Sequence, residues 1–368
     1  MKRMKKSSKK SLGKIVFTIF VILFVLAVTV LIFGRIMFHQ YYEKLHYDDG
    51  KGSLGIEAMT TEYAVEEDPD VDPTATDSDA ELIISVEEQL RKNLEDKSSP
   101  IKFSEDVYNI LLIGHDSRYR EYLGNSDSMI IVSINKKTKE IVMTSIMRDC
   151  YILRPGYGYG RINGAFAMGG PDLLIDTIEE NFKIQIDGYV AVNFYAFMDI
   201  VDALGGVEIT VKDEEVWVVN YYMDELNKLE GDPPDTDKLT AGGTYLLNGK
   251  QTLGYARIRY VGNADYERTQ RQRLVLETVF NKLKDCSLTE LNGVLNAVLP
   301  NVITDIEEGE MFSLLLGTTT DYKNYEIKQC RVPYDGTVEH LNIGGAAVLG
   351  IDIQANIEYM HRDIYGDE

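Results

Sequence analysis

Three short apolar runs constrain this chain most: residues 107–113 (VYNILLI), 129–134 (MIIVSI) and 141–146 (IVMTSI). Each has strand length, and none alternates polar with apolar residues as a strand with one wet face must. They call for a sheet covered on both sides. The polar segment 135–140 (NKKTKE) between the last two suits a hairpin loop. After Asn163 the period turns helical over 165–182, where Phe166, Met168, Leu173, Leu174, Ile178 and Phe182 recur around an interruption at Gly169-Gly170-Pro171. Further strands read at 189–192, 207–211 and 325–332, and further helices at 195–204, 288–299, 311–319 and 346–359. Residues 230–238 (EGDPPDTDK) read as a surface loop. Interleaved strands and helices predict the α/β class, with a central mixed β-sheet flanked by helices. One domain over 101–368, its folded part starting near Phe103, fits better than two.

The amino terminus has another character. Residues 1–14 carry seven Lys or Arg and no acid, and residues 15–33 carry no charge at all. That apolar length suits a membrane-crossing helix. A cleaved signal peptide is the rival, but Gly34-Arg35-Ile36-Met37-Phe38 offers no small-x-small cleavage site. The expectation is a basic cytoplasmic segment (1–14), a transmembrane signal anchor (15–37) and a single extracellular domain beyond it. Residues 38–100 read as an acidic stalk, within which 80–97 has helical spacing (Leu82, Ile83, Val86, Leu90, Leu94). That helix either caps the domain or extends the stalk.

The formal net charge of -21 makes nucleic acid an unsuitable partner. Cys150, Cys286 and Cys330 match no zinc spacing, and both a Cys286–Cys330 bridge and three free thiols are open. No Gly-x-Ser-x-Gly elbow, P-loop or His-Glu-x-x-His is present.

Against this acidity, residues 255–273 (YARIRYVGNADYERTQRQR) hold five arginines. Arg257 and Arg259, two apart, share a side if that segment is extended. A helix starting near Asp265 puts Arg268, Arg271 and Gln272 on one stripe with Val275, and leaves Arg273 off it. Converging guanidiniums suit phosphate or pyrophosphate; a solvated arginine-rich helix face is the plain alternative. Three other polar clusters flank the apolar strands: Gly114-His115-Asp116-Ser117-Arg118, Ser126-Asp127-Ser128 and Arg148-Asp149. If the three strands are neighbours, Asp116, Asp127 and Arg148 meet at one end of the sheet. Carboxylates beside guanidiniums form the composition of a magnesium–pyrophosphate site, although each pair alone reads as a loop-end salt bridge. His115 reads as a packed or loop histidine. Residues 157–160 (YGYG) read as a flexible loop beside the site, and the 23 tyrosines could supply sugar-stacking surfaces or simply core.

Taken together, Gly114-x-Asp116-x-Arg118, Ser126-Asp127, Ser145-x-x-Arg148-Asp149, Arg161-Ile162-Asn163, and Tyr255-x-Arg257-x-Arg259 through Asp265-x-x-Arg268-x-x-Arg271-Gln272 resemble, in that order, the LytR-CpsA-Psr family. The resemblance covers about residues 105–280. It implies an α/β domain that holds a polyprenyl pyrophosphate and transfers a glycopolymer phosphate, of teichoic acid or capsule type, to peptidoglycan at the membrane. The ion implied is magnesium, with manganese as the alternative. By the same resemblance Asp116 and Asp127 serve the metal. Arg118, Arg148, Arg161, Arg257, Arg259, Arg268 and Gln272 hold the pyrophosphate, and Asp116, Arg148, Asp149 and Asp265 are the catalytic candidates, Asp149 or Asp265 as base. Met147 stands where the family usually has proline, Arg161 where lysine is common, and Glu267 adds an acid to the arginine stretch. The lipid tail is expected in an apolar channel between the sheet and the 165–182 helix. Hydrolysis of the pyrophosphate lipid and non-enzymatic polymer binding are the alternatives.

Overall fold

The structure, a computed structural model, describes residues 34–50, 74–115, 124–262, 264–285 and 288–366. Its strands are β1 (His46–Tyr47), β2 (Val107–His115), β3 (Ser126–Asn135), β4 (Glu140–Ile146), β5 (Cys150–Arg154), β6 (Gly158–Arg161), β7 (Gly188–Asn193), β8 (Val207–Val211), β9 (Gly243–Leu247), β10 (Val302–Thr304), β11 (Glu326–Val332), β12 (Val338–Ile343) and β13 (Ala346–Ile351). The helices are α1 (Ala80–Glu95), α2 (Gly164–Phe182), α3 (Phe194–Ala203), α4 (Asp213–Glu230), α5 (Gly249–Ala256), α6 (Ala264–Asp285), α7 (Leu288–Val298), α8 (Glu308–Thr320) and α9 (Ile353–Tyr365).

The main sheet has seven strands in the order β1-β10-β7-β2-β3-β4-β11. It is mixed: β2, β3 and β4 run antiparallel, while β7 lies parallel to β2 and β11 parallel to β4. A four-stranded sheet (β12-β13-β5-β6) and a β8-β9 ribbon flank it. The pleat divides the side chains of each strand between two cores. From β7, Tyr189 and Ala191 join the core formed with α1, α2 and α9, whereas Val190 and Val192 face the core formed with α3, α4 and α6. The unbroken apolar runs are therefore strands covered on both faces, as expected. Gly170, at φ 66°, and Pro171 kink α2 where its sequence is interrupted.

Several expectations change. Ala346–Ile351 is a strand, pairing with β12 and β5, and the closing helix starts only at Ile353 after Asp352 caps it by accepting from the Ala355 N–H. A short apolar run carries no decisive period, so the sequence alone does not separate it from the helix. Helix α4 is not legible in the sequence, since VWVVNYY has strand composition. It forms because Val218, Val219, Tyr222, Met223 and Leu226 bury one helical face. Residues 158–161 form β6 rather than a flexible loop beside the site, and Tyr159 donates to the Glu87 carbonyl of α1 at 2.9 Å. Cys150 and Cys330 are both free thiols, so the Cys286–Cys330 bridge is not formed. Cys286 itself lies outside the described residues.

The stalk also needs revision. Helix α1 buries Val86 and Leu90 against β5, β13, α2 and α9, so it belongs to the domain. So does the segment 38–50: β1 pairs with β10, and Tyr42 donates to the Ile306 carbonyl at 2.8 Å. Just ahead of it, Arg35 meets Glu308 at 3.1 Å. The acidic residues 51–73, outside the described part, thus connect two points of one domain. The anchor expected at 15–37 falls mostly outside the described residues, and no described helix is long and apolar enough to cross a membrane.

Candidate functional site

The site grows from strand register. Met129 lies opposite Ile146 in the β3–β4 ladder. Two residues further, beyond Ile146 on one side and before Met129 on the other, stand Arg148 and Asp127. Continuing an antiparallel register sets these two face to face, and Arg148 Nη1 donates to Asp127 Oδ1 at 2.8 Å. Met147, in the place where proline was expected, donates its N–H to the Val332 carbonyl at 2.9 Å, a bond proline cannot make. Strand β2 ends beside them, with His115 paired to Ser126 on β3 and to Asn193 on β7. The ends of β2, β4 and β7 and the start of β3 therefore share one edge of the sheet.

The arginine stretch reaches this edge by another route. Arg257 is not in an extended segment: it caps the carboxy end of α5, at φ -92° and ψ -6°. Its guanidinium stacks on Phe194 at 4.8 Å and on Tyr222 at 4.4 Å, and pairs with Glu225 at 3.2 Å. Phe194 follows β7 directly, which brings Arg257 to the same edge. Helix α6 starts at Ala264, as the spacing predicted, and buries Arg268 to 4% exposure. Burial pushes the Asp127 carboxyl up, but Arg148, Arg268 and Arg257 outweigh it and hold the group below the usual carboxylate range. Arg259 stacks on Tyr260 at 5.3 Å, and its charge reaches Tyr222 together with those of Arg257 and Arg268. Gln272 is half-buried one turn along α6 from Arg268.

The other arginines of α6 do structural work. Arg271 is buried against Glu215, at 2.9 Å, and Glu267, at 2.8 Å, and its Nη1 donates to the Ile258 carbonyl at 3.2 Å. Glu267 thus neutralises Arg271. Arg273 leaves the site, as its position off the stripe implied, but it is not solvated. It donates to Ser145 at 2.7 Å and to Gln329 at 3.1 Å, and burial, then Arg331, push its guanidinium down to about 10.

Asp149 sits 3.7 Å from Arg148 and 3.4 Å from Arg161, so a chain of alternating charges runs Asp127–Arg148–Asp149–Arg161. Arg161, at the end of β6 in the second sheet, also donates to the Ala347 carbonyl of β13 at 3.0 Å. Asp116 and Arg118 fall outside the described residues, as does the side chain of Asp265. Sequence reasoning missed Tyr222 and Phe194, the rings that position Arg257. Their partner lies far along the chain, and no local spacing announces it.

His115 is packed, 4% exposed and 5.2 Å from the Phe166 ring. Burial pushes its imidazole from 6.5 down to about 4. A folded-state value below the unfolded one means that the stability is complete above pH 6.5 and is lost as pH falls toward 4. The loss expected from this group is about 3 kcal/mol. Urea unfolding at pH 7 and pH 4 in metal-free buffer checks it: His115→Gln should lose that much less than wild type on acidification. Equal losses would contradict this assignment.

Comparison with known proteins identifies the family. Residues 79–361 match the model of the LytR_cpsA_psr family. Biofilm regulatory protein A of Streptococcus mutans is 34% identical over 63% of this chain and 59% of its own. The Oceanobacillus iheyensis polyisoprenyl-teichoic acid–peptidoglycan teichoic acid transferase TagU is 35% identical over 57% of this chain and 62% of its own. The match thus spans about three-fifths of these two relatives. Among solved structures, the Bacillus subtilis protein YwtF (TagT) with bound octaprenyl pyrophosphate lipid superposes with a TM-score of 0.51, at 26% identity, over 72% of this chain and 93% of that one. With the family model covering most of its length, this chain belongs to the LytR-CpsA-Psr family.

Proposed function

We propose that this chain is a phosphotransferase that moves a glycopolymer phosphate from a polyprenyl pyrophosphate lipid to peptidoglycan. One observation carries the reading: Arg148 donates to the partly buried carboxylate of Asp127 at 2.8 Å, and the charges of Arg268 and Arg257, from two further segments, help hold that carboxyl below its ordinary range. So many forked donors at one edge match the charge of a pyrophosphate. The TagT relative with octaprenyl pyrophosphate bound supports this ligand class.

In the reaction a muramic acid hydroxyl attacks the sugar-linked phosphorus. The bond from that phosphorus to the bridging oxygen breaks, and its electron pair leaves with polyprenyl phosphate. Arg148, Arg257 and Arg268 stabilise the charge that gathers on the leaving phosphate. The carboxylate of Asp149 is shared between two guanidiniums, so we assign it to positioning Arg148 and Arg161. The hydroxyl proton then goes to Asp265, the other candidate base.

Asp127 also suits a divalent ion. A hard cation takes one or two carboxylates and completes its shell with phosphate oxygens. The hydrogen bond that Asp127 accepts from Arg148 goes to Oδ1. Asp127 and Asp116 would hold magnesium, or manganese, which would neutralise pyrophosphate charge. The surrounding guanidiniums repel a bare cation, so metal affinity should depend on bound pyrophosphate. The basic segment 1–14 and the apolar segment 15–33 support an anchored domain facing outward, where this lipid and peptidoglycan meet.

The test combines the purified full chain, magnesium, a glycan on a pyrophosphate lipid, and peptidoglycan oligomers. Polymer–peptidoglycan conjugate that disappears with Asp127→Ala supports transfer. Release of phosphosugar without conjugate would indicate hydrolysis. Lipid binding with neither product would make the protein a polymer-binding component of the envelope.

A further inference from the structure

Helix α4 carries Trp217 and Tyr221 four residues apart, hence on one face. Tyr260, from the segment between α5 and α6, packs against both. Its ring lies 6.3 Å from Trp217 at 30° and 6.3 Å from Tyr221 at 87°. The three remain 55%, 56% and 53% exposed. Single exposed aromatics are ordinary, whereas a contiguous exposed patch marks an interaction surface.

This patch is continuous with the arginine site. Arg259 donates to the Tyr260 hydroxyl at 3.3 Å, and Tyr221 packs 5.4 Å from Tyr222, whose ring carries Arg257. We propose that Trp217, Tyr221 and Tyr260 form a stacking platform for a sugar ring next to the pyrophosphate. The inference rests on the transferase reading above, in which the pyrophosphate joins a prenyl chain to a sugar. A prenyl chain needs a covered apolar channel. An open platform edged by an indole N–H and phenolic hydroxyls fits a ring that has both an apolar C–H face and hydroxyl groups. Two sources supply such a ring: the first sugar of the lipid-linked glycan, and the amino sugar of peptidoglycan.

Trp217 is the protein's single tryptophan, so its emission reports on the platform directly. The full chain in detergent is titrated with polyprenyl pyrophosphate lacking sugar, with the same lipid carrying a disaccharide, and with peptidoglycan oligomers. Trp217 emission should change with a sugar-bearing probe and stay constant with the bare lipid; the probe that acts identifies the source. Trp217→Ala should raise KM for that substrate about tenfold and change kcat much less. An equal response to the bare lipid, or none to either sugar probe, overturns the platform. Binding of the bare lipid, measured separately by isothermal calorimetry on wild type and Arg268→Ala, separates that failure from failure of the phosphate reading: a platform failure leaves wild-type binding and its loss in the variant intact.

Discussion

Arg268→Ala is expected to cut polymer transfer by about two to three orders of magnitude, the usual cost of losing one preorganised donor at a site of developing charge. At 4% exposure this guanidinium is enclosed, so water cannot take over its role easily. It is also one of three cations that keep Asp127 ionised against its burial. Removing it should therefore raise the Asp127 pKa and move the acid limb of the pH–rate profile upward. Arg268→Lys should recover only part of the activity, because an ammonium lacks the planar fork. The check is kcat/KM with a lipid-linked glycan and peptidoglycan oligomers across pH. Activity within a few-fold of wild type would remove Arg268 from the site.

Glu215→Ala should be the most damaging change to stability. Glu215 and Arg271 are 2% and 5% exposed and meet at 2.9 Å. Deleting Glu215 leaves the charge of Arg271 to Glu267 alone and its buried Nε–H without this acceptor, which costs about 2–3 kcal/mol. The consequence extends to function, since Arg271 also donates to the carbonyl of Ile258, the residue between Arg257 and Arg259. The pair thus braces the turn that presents two site arginines. Equilibrium urea unfolding measures the first effect. A midpoint shift worth less than about 1 kcal/mol would show that the pair is dispensable.

These expectations separate what was legible from what was not. The β3–β4 hairpin was legible from its apolar runs and polar loop, and its register alone carries Asp127 to Arg148. Helix α6 and the displacement of Arg273 from the site were legible from spacing. The strand at Ala346–Ile351 and helix α4 were not, because their composition suits either conformation and tertiary pairing decided between them. The extended geometry expected for Arg257 and Arg259 also gave way, to the end of helix α5.

The sequence by itself determined the class, the sheet edge on which the polar clusters lie, and the concentration of guanidiniums in an acidic protein. Only the tertiary structure decided what each guanidinium does. Arg268, Arg271 and Arg273 sit on one helix and are all buried, yet the charge of the first helps keep Asp127 ionised, the second pairs with Glu215, and the third donates to Ser145 and Gln329. Helical periodicity fixes the direction in which a side chain leaves its own backbone. Apart from Glu267 and the Ile258 carbonyl, the partner it meets there comes from a segment more than fifty residues away, and only the packing of those segments against the sheet brings the two together.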